Sequence, residues 1–535
     1  MPTIGHRLKA LAATHGSRPA LRSGDSLLSF ADLAADARRV AAALAALGVG
    51  KGTRVGILMP NRPDWLRCAF GAWRLGAIVV PLNTLYRGPE LHHALLHADV
   101  TVLITVGRFL RNHYLTMLVE LCPELTHQAG AALRSAALPA LRRVICDGDD
   151  LPRAVLAWED FLARGEPGST PWSVAALDAV APTDDAAIFF TSGSTAAPKG
   201  VVHTHASMLA GADNVAERLG LDADDVTYGY LPLFFNGGLV GVTLATLTRG
   251  ASVLLQEVFD AEETLALLER HRATTLFAWP HQAEALLRHP HFDRQRLQLR
   301  KGPGANTKWA AALFQPDHQA VGAWGMTETG PMAACARWDD AAADRAGAHG
   351  RPMPGLDLRI VDPDTNQPLP VGSEGEIAVR GASLMRTYYR CEARDCFDAE
   401  GYFHTGDCGR LDARGWLHFV GRLKDVIKTA GVNVAAAEVE ATLLRHPAVK
   451  VAHVVPVPHP TRGENVGAFI VRRDPTCSAS DLQAHCRASL ATYKVPRHVF
   501  FVAEAELPTL GSGKVDRQRL RAAAAEMVGD SDPAE

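Results

Sequence analysis

The sequence lacks a hydrophobic run long enough to cross a membrane. Its longest apolar stretch, residues 237–247, is interrupted by Thr243 and Thr246 and is soon followed by Arg249. A membrane-spanning helix needs about 20 apolar residues in succession. The N-terminus also lacks the apolar core that precedes the cleavage site of a secretory signal. We therefore expect a cytoplasmic protein with no integral membrane segment.

An excess of charge of one sign is missing as well. The 535 residues carry a net charge of −3, which predicts neither a nucleic-acid-binding surface nor a polybasic membrane patch. The nine cysteines show no CxxC spacing, which disfavours a zinc site and suits a reducing compartment. We expect small molecules as partners, and no nucleic acid.

What the sequence does contain is a repeated alternation of helical and strand patterns. Residues 30–47 are alanine-rich with an apolar helical face, and residues 54–59 form an apolar strand pattern. The same order repeats over residues 65–75 and 77–80. Such alternation indicates α/β layers with parallel strands. We predict a large N-terminal region of layered α/β subdomains over residues 1–422.

The pattern changes further along the chain. Residues 225–255 predict strands around the turn LPLFFNGGLVG at 231–241, and short β runs broken by proline and glycine predict a small β-barrel-like part over residues 358–380. Beyond residue 422, helix and strand patterns restart over about a hundred residues, which suffice for a compact unit. We predict a smaller α+β C-terminal domain over residues 423–535.

The stretch TSGSTAAPKG, residues 191–200, has the composition of a phosphate-binding loop and follows an apolar strand pattern. Main-chain N–H groups around its glycines can point at an anion, the hydroxyls add donors, and Lys199 adds a positive charge. A Walker A loop has glycine before the lysine and serine or threonine after it, whereas Pro198 and Gly200 occupy those places. The candidate phosphate ligands are Thr191, Ser192, Gly193, Ser194, Thr195 and Lys199.

Four later segments also place polar residues beside glycines. In GAWGMTETG (322–330), Glu328 suits Mg²⁺, since a carboxylate near phosphates needs a cation between them, although a surface turn explains the motif equally well. In FHTGD (403–407), Asp407 can accept from the hydroxyls of a ribose or can form a turn. The other two are GRLKDVIKTAGVNVAAAEVE (421–440), which is cationic where a hinge is expected, and LPTLGSGKVDR (507–517), whose Lys514 can reach a site built elsewhere.

In this order the segments resemble the adenylate-forming superfamily of acyl-CoA synthetases, nonribosomal-peptide adenylation domains and beetle luciferases. The chain is most similar to bacterial acyl-CoA synthetases. This resemblance implies that the protein uses ATP and Mg²⁺ to activate a carboxylic acid to an acyl-adenylate, releases pyrophosphate, and passes the acyl group to CoA. It also implies that the smaller domain is mobile about a hinge near Lys424.

The resemblance implies a role for each candidate residue. Thr327 contacts the α-phosphate, Glu328 binds Mg²⁺, and Lys514 is the catalytic lysine that bridges the carboxylate and the α-phosphate. Residues 191–195 and Lys199 bind the β- and γ-phosphates. The other implied residues are Gly304, Ala305 and Trp324 along the adenine, Asp407 and Arg422 on the ribose, Lys424 at the hinge and Gly431 along the CoA tunnel.

The implied acyl pocket is predominantly apolar, which favours a medium-chain, alicyclic or aromatic acid. Phe235 stands where many acyl-CoA synthetases have histidine. This keeps two other acceptors open, an amine and the thiol of a carrier protein. Ordinary core packing is the alternative role for the implied pocket residues, which are Phe234, Phe235, Asn236, Gly237, Gly238, Trp279, Met326 and Met332.

A non-catalytic nucleotide-binding protein is the remaining alternative. The presence of Lys199, Glu328 and Lys514 together argues against it, because each supplies a charge that the reaction needs. The sequence does not determine the acid, and it leaves a homodimer open.

Overall fold

The computed structural model describes residues 2–128, 132–166, 179–191, 198–305, 307, 309–423, 426–429, 432–459, 463–490, 494–509 and 514–529. The described chain forms two compact units. The larger contains the described residues of 2–191, 198–357 and 379–403, and the smaller contains those of 358–378 and 404–529. The predicted hinge residue Lys424 and the predicted CoA-tunnel residue Gly431 lie outside the described residues, so the boundary at residue 422 stays a prediction.

The predicted α/β layering is confirmed in the larger unit. Helix Phe30–Ala46 precedes strand Arg54–Leu58. Helix Pro63–Arg74 precedes strand Ile78–Pro81, and both strands pair in parallel. Parallel strands are covered on both faces, which explains why Val102–Val106 is buried along its whole length. The described part of this sheet has eight strands, in the order Thr387–Tyr388, Lys199–Thr204, Asp185–Thr191, Ile78–Pro81, Arg54–Leu58, Val102–Val106, Arg143–Asp147 and Val155–Ala157.

The larger unit contains three further sheets among its described residues. One has five strands, in the order Thr275–Phe277, Val226–Gly229, Ser252–Leu255, Pro19–Ser23 and Ser26–Ser29. Another has three strands, Ala323–Met326, Gly330–Cys335 and Arg351–Pro352, and the third pairs Arg108–Phe109 with Asn112–His113. The three-stranded sheet is the one that carries the TET motif, which begins where Ala323–Met326 ends.

The predicted strands around residues 231–241 are wrong in part. Val226–Gly229 and Ser252–Leu255 are strands, but Gly237–Leu244 is a π-helix that continues into the short helix Ala245–Leu247. Every residue from 238 to 244 is buried. The run is therefore enclosed on all sides, and periodicity does not separate a buried helix from a buried strand. Phe235 consequently lies just before a helix and not in a strand.

The predicted barrel-like part is an open sheet in the smaller unit. Its strands are Leu356–Val361, Gly375–Gly381, Phe403–Leu411 and Leu417–Arg422. Closure would require the first and last strands to pair, and they do not pair in the described residues. The remaining strands of this unit form a five-stranded sheet of Val432–Ala435, Val426–Thr429, Gly463–Arg472 and Val449–His459, with His498–Phe501 parallel to Gly463–Arg472.

Helix boundaries follow local capping chemistry. Thr204 caps helix His205–Arg218, because its side chain accepts a hydrogen bond from the Ser207 N–H in the first turn. No helix of the described chain is long and apolar enough to span a membrane. Among the described residues the other helices are Ile4–His15, Gly88–His97, Tyr114–Leu121, Trp158–Ala163, Ala261–Arg270, Pro280–Arg288, Ala310–Leu313, Ala342–Gly347, Ala436–Leu443, Ala479–Arg487 and Arg517–Gly529, with 3₁₀ turns at Pro123–Thr126, Arg294–Arg296, Thr327–Thr329, Ala393–Asp395 and Glu504–Glu506.

Candidate active site

Two paired strands frame the predicted phosphate loop. Asp185–Thr191 and Lys199–Thr204 run antiparallel, and Thr191 lies opposite Lys199 at the end where the loop begins. The Nε2 atom of His93 lies 3.2 Å from the carbonyl oxygen of Pro198, the residue that precedes Lys199. The predicted phosphate ligands Ser192, Gly193, Ser194 and Thr195 lie outside the described residues, so their role stays a prediction.

Lys199 is exposed, and its ammonium group lies over the ring of Tyr388. The distance from Nζ to the ring centroid is 4.7 Å, within the range of a cation–π interaction. Tyr388 is held there by an edge strand, since it lies opposite Val201 in the pairing of Thr387–Tyr388 with Lys199–Thr204. An exposed cation restrained in this way is suited to binding an anion.

The predicted Mg²⁺ ligand lies on a tight turn. Thr327–Thr329 forms a 3₁₀ turn, and Thr329 Oγ1 closes it by accepting from the Met326 N–H and donating to the Met326 carbonyl. Glu328 is only 6% exposed, and its Oε1 accepts a hydrogen bond of 2.9 Å from the Tyr388 hydroxyl. No cationic side chain of the described residues forms an ion pair with it. A buried carboxylate of this kind needs a compensating charge.

The residues present fit a magnesium ion. Mg²⁺ prefers oxygen ligands and is often held by one or two carboxylates together with substrate phosphates. No group of three or more His, Cys, Asp or Glu side chains in the described chain could hold a metal by itself. Glu328 would therefore hold the ion jointly with phosphate oxygens of a nucleotide.

The turn is also held through the carbonyl oxygen of Thr327. His203 Nε2 lies 2.8 Å from this oxygen, and Asn236 Nδ2 donates to it at 3.0 Å. A carbonyl oxygen accepts only, so His203 carries its hydrogen on Nε2 and its Nδ1 accepts from the Ser207 hydroxyl at 3.1 Å. Burial lowers the pKa of His203 from 6.5 to about 4, which keeps the imidazole neutral at physiological pH.

This buried histidine predicts a pH dependence of stability. Between pH 6.5 and 4 the unfolded chain takes up a proton at His203 that the folded chain does not bind, so the free energy of unfolding falls as the pH is lowered. The loss over this window is on the order of 3 kcal/mol. His203→Gln should therefore reduce the slope of unfolding free energy against pH, measured by denaturant titration at several pH values.

His127→Gln is the matched control for this experiment, because it makes the same substitution at an exposed histidine. His205, whose pKa burial also lowers to about 4, supplies a second and independent share of the slope in both variants. A wild-type slope in His203→Gln would show that the imidazole is not buried as a neutral group.

Aromatic rings converge at the predicted acyl pocket. The centroids of Phe234 and Phe235 are 4.5 Å apart, and the ring of Phe235 meets Trp279 edge-on at 6.3 Å and 69°. Asn236, which is 3% exposed, turns its Nδ2 to the Thr327 carbonyl, and its Oδ1 has no hydrogen-bond partner in the described chain. The structure thus joins the predicted pocket segment directly to the turn that carries Glu328.

The two glycines of this segment differ in what they allow. A Cβ on Gly238 would lie 2.2 Å from the Pro232 carbonyl oxygen, so the backbone requires glycine there. A Cβ on Gly237 would meet only the Leu231 side chain at 3.7 Å, an ordinary contact. Of these two predicted pocket residues, only Gly237 therefore has open space beside it. Two further predicted pocket residues, the half-buried Met326 and the buried Met332, lie on the paired strands Ala323–Met326 and Gly330–Cys335.

The predicted adenine segment is fixed next to the strand that carries Trp324. The N–H groups of Gly304 and Ala305 both donate to the Val321 carbonyl, at 2.9 and 3.2 Å. Gly304 has a φ of 111°, and a Cβ there would lie 2.6 Å from the ring of Trp309, so only glycine fits. Trp324 itself is largely buried.

The predicted ribose residues meet in the smaller unit. Asp407 lies opposite Arg422 on neighbouring antiparallel strands, and Arg422 Nε is 2.9 Å from Asp407 Oδ1. Sequence reasoning missed Glu376, which accepts from the Gly406 N–H at 2.8 Å and pairs with His404 Nδ1 at 2.9 Å. Glu376 thereby fixes the strand just before Asp407, and its separation of 30 residues from Gly406 left no local signal in the sequence.

Lys514 is exposed in the smaller unit. Its neighbour Val515 forms an antiparallel bridge with Thr509. The described residues provide no ion-pair partner for the Lys514 ammonium group. Its catalytic role stays a prediction.

Comparisons with known proteins agree with this arrangement. A model described as AMP-binding enzyme matches residues 8–389, and one described as AMP-binding enzyme C-terminal domain matches residues 438–514. Feruloyl-CoA synthase of Amycolatopsis sp is 34% identical over 510 residues, which cover 94% of this chain and 95% of that protein. Sulfoacetate–CoA ligase of Cupriavidus necator is 33% identical, with 97% of each chain covered.

A solved structure extends the similarity to three dimensions. The crystal structure of the anthranilate CoA ligase AuaEII in complex with anthranoyl-AMP has a TM-score of 0.82 to this protein, with 26% identity and 98% of both chains covered. Both family models match in the chain order of the motifs. This chain belongs to the AMP-binding enzyme family, within the adenylate-forming superfamily that contains the acyl-CoA synthetases, and is an AMP-forming acid–thiol ligase.

Proposed function

We propose that this protein joins an apolar carboxylic acid, of medium-chain, alicyclic or aromatic type, to CoA at the expense of ATP. In the first half-reaction a carboxylate oxygen attacks the α-phosphorus of ATP, and the bond to the leaving pyrophosphate breaks. In the second, the sulfur of the CoA thiol loses its proton and attacks the acyl carbon, and the bond to AMP breaks. The products are the thioester, AMP and pyrophosphate.

The observation that supports this proposal most directly is the support given to the turn Thr327–Thr329. Side chains of His203, Asn236 and Tyr388 hold it from three separate segments. Groups held in place before the reaction stabilise developing charge without having to reorganise. Mg²⁺ bound beside Glu328 would supply neutralisation of phosphate charge.

The acid is proposed from the walls of its pocket. The rings of Phe234, Phe235 and Trp279 offer apolar surface, which favours an acid with a planar or bulky hydrocarbon body. Feruloyl-CoA synthase and the anthranilate CoA ligase, to which this chain is similar, are named for aromatic acids. This chain is also similar to a sulfoacetate–CoA ligase, so a small charged acid should be tested against the apolar acids.

A panel of carboxylic acids read by pyrophosphate release tests the proposal. It should include benzoate, cinnamate, cyclohexanecarboxylate, octanoate and sulfoacetate, each with CoA, with an amine, and without acceptor. We expect release with the apolar acids and thioester formation only with CoA. Amide formation without thioester would replace CoA as the acceptor, and preference for sulfoacetate would overturn the apolar pocket. Absence of acid-dependent release from the whole panel would contradict catalysis of adenylation.

Trp279→Ala should shift the preference towards longer acids. Removing the indole opens the end of the ring cluster against Phe235, so an acid with additional methylene groups gains buried surface. We expect the ratio of kcat/KM for a longer over a shorter acid to rise about tenfold or more. Trp338→Ala is the control, because Trp338 is half-buried against Gly220 and outside the ring cluster. An unchanged ratio would remove Trp279 from the pocket.

A further inference from the structure

One side chain contacts both charged residues of the nucleotide site in the larger unit. The Tyr388 hydroxyl donates to Glu328 Oε1 at 2.9 Å, and the Tyr388 ring lies 4.7 Å below the Lys199 ammonium group. In the described chain Tyr388 is the only side chain that donates a hydrogen bond to the Glu328 carboxylate. The tyrosine thus connects an acidic and a basic group that lie more than a hundred residues apart in sequence.

The segment that carries Tyr388 follows the turn closely. The Met385 N–H donates to the Glu328 carbonyl at 2.8 Å, and the Ser383 hydroxyl donates to the Thr329 carbonyl at 3.0 Å. The hydrogen bond from Tyr388 adds a third contact, to the side chain of Glu328. Backbone and side chain of the turn are therefore both fixed by residues 383–388.

We propose that Tyr388 is a positioning residue, which orients the Glu328 carboxylate through its hydroxyl and restrains the Lys199 ammonium through its ring. With Oε1 taken by the phenol, the carboxylate has one defined orientation and directs Oε2 to other partners. A hydrogen bond to a charged group and a cation–π contact each restrict rotation of a long side chain before the ligand binds. The inference rests on the proposed function, because it assigns Glu328 and Lys199 to Mg²⁺ and the outer phosphates of ATP.

The two contacts predict separable effects on nucleotide binding. Tyr388→Phe removes the hydroxyl and keeps the ring, so the concentration of Mg²⁺ that half-saturates ATP binding should rise about tenfold. Tyr388→Leu also removes the ring, and it should weaken ATP binding a further few-fold, even without Mg²⁺. Binding of AMP should be unchanged in both variants, because AMP lacks the outer phosphates.

Isothermal titration calorimetry of ATP at a series of Mg²⁺ concentrations, with AMP titrated in parallel, measures these effects without turnover. Tyr389→Phe is the matched control. Its hydroxyl donates to Asp99 Oδ2 at 2.9 Å, so the variant loses the same kind of hydrogen bond from the adjacent residue and should keep the wild-type Mg²⁺ dependence. Thermal unfolding of Tyr388→Phe and Tyr389→Phe compares the stability of these two variants.

The results distinguish the inference from the function on which it rests. If ATP binding to the wild-type protein does not depend on Mg²⁺, the proposed role of Glu328 as the Mg²⁺ ligand is contradicted. If wild type responds and Tyr388→Phe gives the same curve as Tyr389→Phe, the positioning role is overturned. A shift that persists undiminished when Tyr388→Phe is made in a Glu328→Ala background would also overturn it, since the hydroxyl would then act elsewhere. If a Tyr388 variant binds AMP more weakly by the same factor as ATP, the substitution has damaged the nucleotide site in general, and the proposal is contradicted.

Discussion

Lys514→Ala should lower adenylate formation about a hundred- to a thousandfold, the range observed when a preorganised donor to developing charge is removed. Attack by the carboxylate concentrates negative charge at the α-phosphate, and a lysine that bridges the two groups lowers the barrier. Lys514 is exposed and has no ion-pair partner in the described chain, so its removal should cost little stability. Acid-dependent ATP–pyrophosphate exchange measures this half-reaction alone.

Thioester formation from supplied acyl-adenylate and CoA should fall far less in the same variant. The charge at the phosphate is already spread in the adenylate, and the leaving group is AMP. Lys450→Ala is a suitable control, because Lys450 is also an exposed lysine of the smaller unit and pairs with Glu504 on its surface. Equal losses in both half-reactions would contradict a role for Lys514 confined to the first.

Glu328→Gln should lower kcat/KM for ATP about a hundredfold or more. The amide keeps the volume of the side chain and can still accept from Tyr388, but it no longer offers a negative oxygen to a divalent cation. The loss should appear as a higher Mg²⁺ requirement in pyrophosphate exchange, with AMP binding retained. The measurement is a titration of exchange rate against Mg²⁺ at saturating acid.

Asp36→Asn is the matched control for Glu328→Gln. Asp36 lies on helix Phe30–Ala46 and pairs with Arg67 at 2.7 Å, so the variant removes a carboxylate of the same unit away from the TET turn. It should leave the Mg²⁺ requirement unchanged. A Glu328→Gln enzyme with wild-type Mg²⁺ dependence would exclude Glu328 as the ligand.

Local chemistry explains which features the sequence predicted. The apolar runs around residues 54–59 and 186–190 are strands because each is short, continuous and bounded by turn residues. Thr204 caps its helix because a hydroxyl at that place satisfies a free N–H two or three residues later. Each of these features depends on residues within one or two turns of the chain.

The same local reasoning failed at Gly237–Leu244, where it predicted a turn through residue 241 followed by strand, and the structure has helix. With apolar or small residues on every side, the run carries no information about its period. The residues packed around the run determine that it is helical, and they include the Pro232 carbonyl, which excludes any side chain at Gly238.

The sequence by itself determined the layered α/β class, the order of the motifs and, through resemblance, the residues Thr327, Glu328, Asp407 and Lys514 as candidates. Only the tertiary structure decided how the TET turn is held. Its supports come from Tyr388, Asn236 and His203, which are 60, 91 and 124 residues away from the atoms they contact. Propensity and spacing act over a few residues, whereas a hydrogen bond to this turn depends on which segments the folded sheets bring beside it.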